Sequence, residues 1–205
     1  MLDEYLKNKN VSQCNEILNN ALKENLITKK RYDHSIFVAA KALQLCKCNN
    51  CDQNSTIDII CAALVHDILK DYDCRLLLQM SIKYGIIMDN EQKKSKALYH
   101  SIVGSEYLKN NFNLTKNICD MVKFHTMAKA KMTLGEKIIF VADAISEDRK
   151  YSDREAYEKI SFENINKGVL EILSFTIKDI CKKNGCLCLN TIKAYNYYLS
   201  LNKNK

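Results

Sequence analysis

Apolar residues recur at spacings of three and four along nearly the whole chain, and no proline interrupts them in 205 residues. That period puts a hydrophobic stripe on one side of an α-helix, whereas the period-two runs of Val, Ile and Thr that mark half-buried strands are absent. An all-α fold follows. Ile17, Leu18, Ala21 and Leu22 form a first stripe with Ser12 as its N-cap. A second helix runs from about Lys30 to Leu45, with Ile36, Phe37, Ala40 and Leu43 as its apolar face. The polar stretch CKCNNCDQNST breaks the pattern, after which Thr56 caps a helix that contains IDIICAALVH. Asp73 to Tyr84 reads as a helix stopped by Gly85 at a left-handed C′ position, and Gln92 to Asn110 as another. Thr115 caps a helix ending near His125, while Thr133 with Glu136 and Ser152 with Glu155 have the form of capping boxes. Ser161 opens a longer helix that stops at Gly185, and Asn190 or Thr191 opens a last one to about Leu201. No repeat, low-complexity tract or linker divides the chain, so the expectation is one domain over residues 1–205, a bundle of about eight to ten helices.

With 47% apolar and 27% charged residues the chain can bury a sizeable core, which excludes fibrous and disordered classes. No window approaches the roughly 18 consecutive apolar residues of a membrane span. The opening MLDEYLKNKN has acids and lysines where a signal peptide has an apolar centre, so the expected setting is cytoplasmic, with no membrane partner. A net charge of +7 suits an anionic partner, but it is spread over scattered lysines such as Lys7, Lys9, Lys29, Lys30, Lys203 and Lys205. No basic block interleaved with aromatics suggests a nucleic-acid face. Ten cysteines in 205 residues fall below the density of a disulfide scaffold and read as reduced thiols. Cys46, Cys48 and Cys51 share one polar loop and Cys186 and Cys188 another, which leaves a soft-metal or redox site open, although only Cys48 and Cys51 have C-x-x-C spacing. Cys61 and Cys119 fall on apolar helical faces as packing residues, and Tyr195, Tyr197 and Tyr198 suit core and interface more than stacking.

The chemistry concentrates on four histidines, His34, His66, His100 and His125. A lone helical histidine such as His34 or His100 is by itself more often a surface or satisfied core residue than a ligand. His66 differs, because Asp67 follows it at the end of the apolar run IICAALV, where two polar groups are costly to bury unless something pairs them. A divalent cation does so economically, since imidazole and carboxylate together suit a borderline metal. Asp143 lies in the equally apolar IIFVADAI, where the alternative is a bond to a backbone amide or a lysine. A His, a His-Asp pair and a distant Asp on separate helices form the ligand set of a metal site built in a helical bundle.

With H…HD…D at His34, His66-Asp67 and Asp143 the chain resembles the HD-domain metal-dependent phosphohydrolases, and the segments RYDHS, LVHDILK, LYHSIVG, KFHTM, GEKIIFVADAISEDR and NTIKAYNYYL carry a closer resemblance. Within that superfamily the chain resembles the YqeK branch, the bacterial symmetrical diadenosine tetraphosphate hydrolases. The resemblance implies His34, His66, Asp67 and Asp143 as metal ligands, with iron as the metal and manganese, cobalt or zinc as alternatives suited to the same donors. It implies a phosphate contact for Arg31, charge neutralisation by Lys70 and a phosphate-side place for His100 and His125, either of which could bind a second metal or protonate the leaving group. Catalysis would rest on Asp67, Lys70, His100 and His125. Thr126 and Arg149 fall at family positions beside the substrate, and Asn190, Thr191, Ala194, Tyr195 and Asn196 on the nucleoside segment. The metal-site core would span about residues 29–150, with helices in 153–201 completing the pocket for a dinucleoside polyphosphate or ADP-like nucleotide. The implied reaction is attack of metal-activated water on an inner phosphate to give two ADP, and a homodimer is left open. Another nucleotide or phosphodiester, or a non-catalytic nucleotide sensor, are the rival readings. Where relatives carry Pro-Gly before the late arginine this chain has Glu147 and Asp148, whose charges are expected to pair with Arg149. Cys188 and Leu189 replace a His-Pro pair.

Overall fold

A computed structural model describes residues 2–203; Lys205 lies outside them. The chain folds into α1 (Leu2–Tyr5), α2 (Lys9–Lys23), α3 (Lys29–Cys48), α4 (Gln53–Val65), α5 (Cys74–Lys83), α6 (Asn90–Lys94), a 3-10 turn (Lys96–Leu98), α7 (Tyr99–Phe112), α8 (Lys116–Phe124), α9 (Leu134–Ile145), α10 (Arg154–Glu163), α11 (Ile165–Lys182) and α12 (Leu189–Lys203). No strand occurs among the described residues. Ten of these helices have nine residues or more, as the periodicity predicts; α1 and α6, of 4 and 5 residues, are additional.

The bundle is organised around α4, whose residues Ile59 to Val65 are all buried. A helix that is apolar on every side has to be surrounded, and α2, α3, α8 and α9 enclose it. α7 packs on α8 and carries α5; on the opposite side α10 and α11 lie against α9, and α12 against α11. The α10–α11 approach is close enough that a Cβ on Gly168 would stand 2.2 Å from Ser161 Oγ.

Several boundaries differ from the sequence reading, each for a local reason. Asn8, not Ser12, caps α2, and Asp52, not Thr56, caps α4 through the Ser55 N–H at 2.9 Å. Thr56 donates instead to the Asp52 carbonyl at 2.8 Å, inside the helix. The predicted stretch 92–110 breaks at Ser95, which has φ −105° and ψ 83°. No side chain caps α10, so the Ser152/Glu155 box is not formed. Ser161 is buried within α10 and bonds back to the Tyr157 carbonyl at 2.6 Å, while Asn164 caps α11. α11 ends at Lys182, with the left-handed position taken by Asn184 (φ 54°) rather than Gly185. On α3 Leu43 is buried as expected and Ile36 packs on the core in part, but Phe37 is exposed and Ala40 half-buried, and the rest of the buried face is His34, Val38, Lys41, Ala42 and Leu45. That stripe begins at a histidine and includes a lysine, so counting apolar residues placed part of the face one position off.

All ten cysteines are free. No grouping of side chains able to hold a metal includes a cysteine among the described residues, so the soft-metal reading of the Cys46–Cys51 loop has no support here. Cys61 and Cys119 are buried as packing residues.

Candidate metal centre

His34 comes from the first turns of α3, Asp143 from the end of α9, and His100 from the start of α7. His66 and His125 are the residues that end α4 and α8, and Asp67 follows directly. Five helices therefore deliver the predicted side chains to one point in the interior.

His66 and His125 owe their orientation to helix termini. The last turn of a helix leaves its carbonyls without intrahelical partners. His66 Nδ1–H donates to the Ala63 carbonyl at 2.7 Å and His125 Nδ1–H to that of Val122 at 2.6 Å. In each ring this puts the lone pair on Nε2, facing the centre. His66 Nε2 is completely buried and finds no hydrogen-bond donor among the described residues. It faces Asp67 Oδ2 at 3.6 Å and Asp143 Oδ1 at 3.9 Å. A lone pair and two carboxylates directed at one volume repel unless a cation joins them, so this donor set fits a divalent metal. His34, His66 and Asp67 offer three ligand atoms within 4.8 Å of one another, as do His66, His125 and Asp143, and Asp67, His100 and His125.

Two arginines balance the carboxylates from the solvent side. Arg31 Nη1 donates to Asp67 Oδ2 at 2.6 Å, and its Nε lies 3.5 Å from Asp71 Oδ1. Asp71 also accepts from the Thr28 N–H and hydroxyl at 2.9 and 3.0 Å, which ties Arg31 to the N-cap of its own helix. Arg149 bonds Asp143 Oδ1, and its Nε donates to the Asp143 carbonyl at 2.9 Å. Glu147 and Asp148 make no direct ion pair with Arg149, although the Asp148 charge acts on it at longer range: Glu147 leans toward Lys41 at 4.0 Å and Asp148 binds His34 at 2.9 Å. Lys70 is exposed and reaches inward to His100 Nε2 at 3.2 Å. His100 Nε2 is in turn 3.0 Å from Asp67 Oδ1 and 3.2 Å from His125 Nε2.

These contacts set the ionisation of the centre. Burial by itself pushes the Asp67 carboxyl up, but His66, His100 and His125 around it hold it well below the usual carboxylate range. Asp143 is likewise held low against its burial by Arg149 and His34. Burial drives His66 down to about 3 and His100 to about 4, keeping both neutral near pH 7. His34 moves the other way: burial lowers it, yet its bond to Asp143 and the charges of Asp143 and Asp148 prevail.

The remaining predicted positions divide. Thr126 shares a 2.7 Å hydrogen bond with Ser101, one residue after His100. Thr191 is buried and donates to the Met127 carbonyl at 2.8 Å, and Asn190 Nδ2 approaches the Met127 sulfur at 3.6 Å. Ala194 is wholly buried, Tyr195 packs on the core and Asn196 is exposed. The start of α12 is thus attached to the loop after His125 rather than inserted among the ligands. The sequence reading missed Asp71 and Ser146 as parts of the centre, and gave Asp148 the wrong partner. An acidic residue within one turn of a ligand was the available signal, and it does not say which neighbour the carboxylate meets. A separate cavity of about 340 Å³ between α4, α8 and α9 is lined by Asp52, Asp58, Asp120 and Glu136, charges that repel a polyphosphate.

The HD domain family model matches residues 31–148. The chain is 28% identical over 177 residues to the symmetrical bis(5'-nucleosyl)-tetraphosphatase of Halalkalibacterium halodurans, covering 84% of this chain and 91% of that one. It is 25% identical over 178 residues to the enzyme of the same name from Bacillus subtilis, covering 85% and 92%. For the Staphylococcus aureus enzyme of that name the identity is 26% over 180 residues, covering 86% and 91%. A crystal structure from Clostridium acetobutylicum, described as a predicted HD superfamily hydrolase involved in NAD metabolism, superposes with a TM-score of 0.84 at 29% identity, covering 91% of this chain and 96% of that one.

Proposed function

This chain belongs to the HD domain family, and from that premise we propose that it is a metal-dependent hydrolase that splits diadenosine tetraphosphate symmetrically into two ADP. The observation that carries the reading is the unpartnered His66 Nε2 facing Asp67 and Asp143, beneath a rim of Arg31, Lys70 and Arg149.

His34, His66, Asp67 and Asp143 hold the metal, which we take to be iron; manganese, cobalt and zinc suit the same nitrogen and oxygen donors. When bound, a divalent cation supplies Lewis acidity that polarises phosphoryl oxygens and makes water acidic enough to attack at neutral pH. Arg31 and Arg149 bind and orient the phosphates once their carboxylates are engaged elsewhere, and planar guanidinium groups match phosphate geometry. Lys70 adds a third positive charge at the rim. Charge builds on the leaving phosphate as the bond breaks, and preformed cations in a partly dehydrated site stabilise it without reorganising. His100, neutral near pH 7, has its Nε2 3.0 Å from Asp67 Oδ1 and would donate that N–H to a phosphate oxygen once Asp67 is engaged by the metal. A diphosphate is a weak base, so this hydrogen bond suffices without full proton transfer. Thr126 and helices in 153–201 complete the nucleotide pocket, with Asn190, Tyr195 and Asn196 toward the nucleoside and Thr191 and Ala194 holding α12 to the core. Ten free thiols support a reducing, cytoplasmic setting. No helix among the described residues is long and apolar enough to cross a membrane.

The Clostridium neighbour, described as acting in NAD metabolism, favours a second reading in which the same centre hydrolyses a pyridine dinucleotide. Incubating metal-loaded protein with diadenosine tetraphosphate or NAD and separating the products decides between them. ADP as the sole product of the first, with NAD intact, is the expected result. AMP plus ATP, or turnover of NAD alone, overturns it.

A further inference from the structure

The structure assigns Asp148 as the residue that orients His34 toward the metal. This rests on the metal-centre reading above and adds to it the hydrogen bond that sets one ligand's geometry.

A histidine that coordinates through Nε2 is fixed in tautomer and direction by what its Nδ1–H bonds to. His66 and His125 stand at helix ends and use the free carbonyls of Ala63 and Val122, at 2.7 and 2.6 Å. His34 has no such option. It is the sixth residue of α3, a helix of 20, and the carbonyls of its own turn already accept helical N–H groups. Its acceptor must come from elsewhere in the chain.

Asp148 supplies it from the loop after α9, 114 residues away, with Oδ2 at 2.9 Å from His34 Nδ1. Its other oxygen accepts from Ser146 Oγ at 2.7 Å, so the carboxylate is itself held in place. Ser146 is completely buried, and its hydroxyl, whose one proton goes to Asp148, also stands 3.3 Å from the Asp143 carbonyl, which places this support beside the end of α9. On the opposite edge of the same ring, His34 Nε2 faces Asp143 Oδ1 at 2.9 Å and Asp67 Oδ2 at 3.9 Å. Asp148 thus lies across the imidazole from the ligand cluster and belongs to none of the groups able to hold a metal, so it is a positioning residue.

A carboxylate partner does two things a carbonyl does less strongly: it fixes the ring and makes Nε2 more electron-rich. The position where the family resemblance puts glycine therefore carries a specific device of this chain.

The test is cobalt(II) binding by full-length protein in the absence of nucleotide, measured by competition with a chromophoric chelator and by the cobalt d–d absorption. Substrate identity plays no part in this readout, so its outcome is separable from that of the function proposed above. Asp148→Ala should weaken cobalt(II) binding by about 10- to 100-fold and alter the d–d bands. Asp148→Asn is isosteric, and its amide oxygen still accepts from Nδ1–H, so it should recover most of the affinity. Binding by Asp148→Ala within threefold of the unchanged protein overturns the assignment, as does equal loss in both variants. If Asp148→Ala does not fold, Ser146→Ala tests the same hydrogen bond one link back. It should weaken cobalt(II) binding by severalfold, and unchanged affinity there overturns the assignment as well.

Discussion

The chemistry of the centre comes down to where single protons sit. His66 donates at Nδ1 and is bare at Nε2, inside a pocket that also holds two ionised carboxylates. Without a metal, Arg31 on Asp67 and Arg149 on Asp143 balance those charges. The two carboxylates and the two arginines therefore have separable roles in the proposed mechanism. Asp67→Ala and Asp143→Ala are each expected to strip most bound metal together with activity, which elemental analysis beside a nucleotide assay will show. Arg149→Ala should keep its metal, because it removes a competitor for Asp143, while lowering kcat by roughly 100- to 1,000-fold. Metal loss in Arg149→Ala would contradict the role given to it.

At the scale of elements, helix ends build the site. Two of the four histidines terminate helices, and an end supplies both an acceptor for Nδ1–H and a chain direction that brings the next residue, Asp67, into the cluster. The loop after His125 is shaped by two non-glycine residues in the left-handed region, Ala128 (φ 54°) and Lys131 (φ 55°). Such backbone persists only where its surroundings over-determine it. α12 provides that constraint: Thr191 holds the Met127 carbonyl and Tyr198 accepts from the Met132 N–H at 3.1 Å. Thr191→Val keeps the shape and leaves a buried carbonyl unpaired. It should cost about 1–3 kcal/mol in denaturant unfolding and speed amide exchange between Met127 and Met132. Unchanged exchange there would mean that α12 does not hold this loop.

For the whole molecule, the buried centre makes the metal-free fold sensitive to acid. His66 and His100 resist protonation in the folded state, with values near 3 and 4, whereas the unfolded chain takes up protons around 6.5. Their contribution is present above pH 6.5 and is lost as pH falls from there toward those values. Asp67 and Asp143, held low, add further loss below the ordinary carboxylate range. His34, held high, works in the opposite sense and offsets part of this. His66 by itself corresponds to roughly 2 kcal/mol between pH 7 and pH 5. Chelator-treated protein should therefore show a falling urea midpoint over that interval. Metal-loaded protein should start higher and fall more steeply, since protons compete with the metal for the same atoms.

The sequence by itself determined the helical class, the position of most long helices and the histidines and aspartates that gather at the candidate centre. Spacings of three and four and cap residues such as Thr115 and Thr133 are local signals, and His66-Asp67 at the end of an apolar run is conspicuous without knowledge of the fold. Only the tertiary structure decided which partner each polar group meets. Asp148 sits on His34 because the loop after α9 crosses the first turns of α3, an approach between residues 114 apart that no local pattern encodes, while Arg149 turns back to Asp143 in the helix just before it. Most of the buried face of α3, Leu43 apart, is hidden from local pattern for the same reason. It is fixed by the packing of α4 and α9 around a histidine and a lysine whose burial depends on the charges brought to them by distant helices.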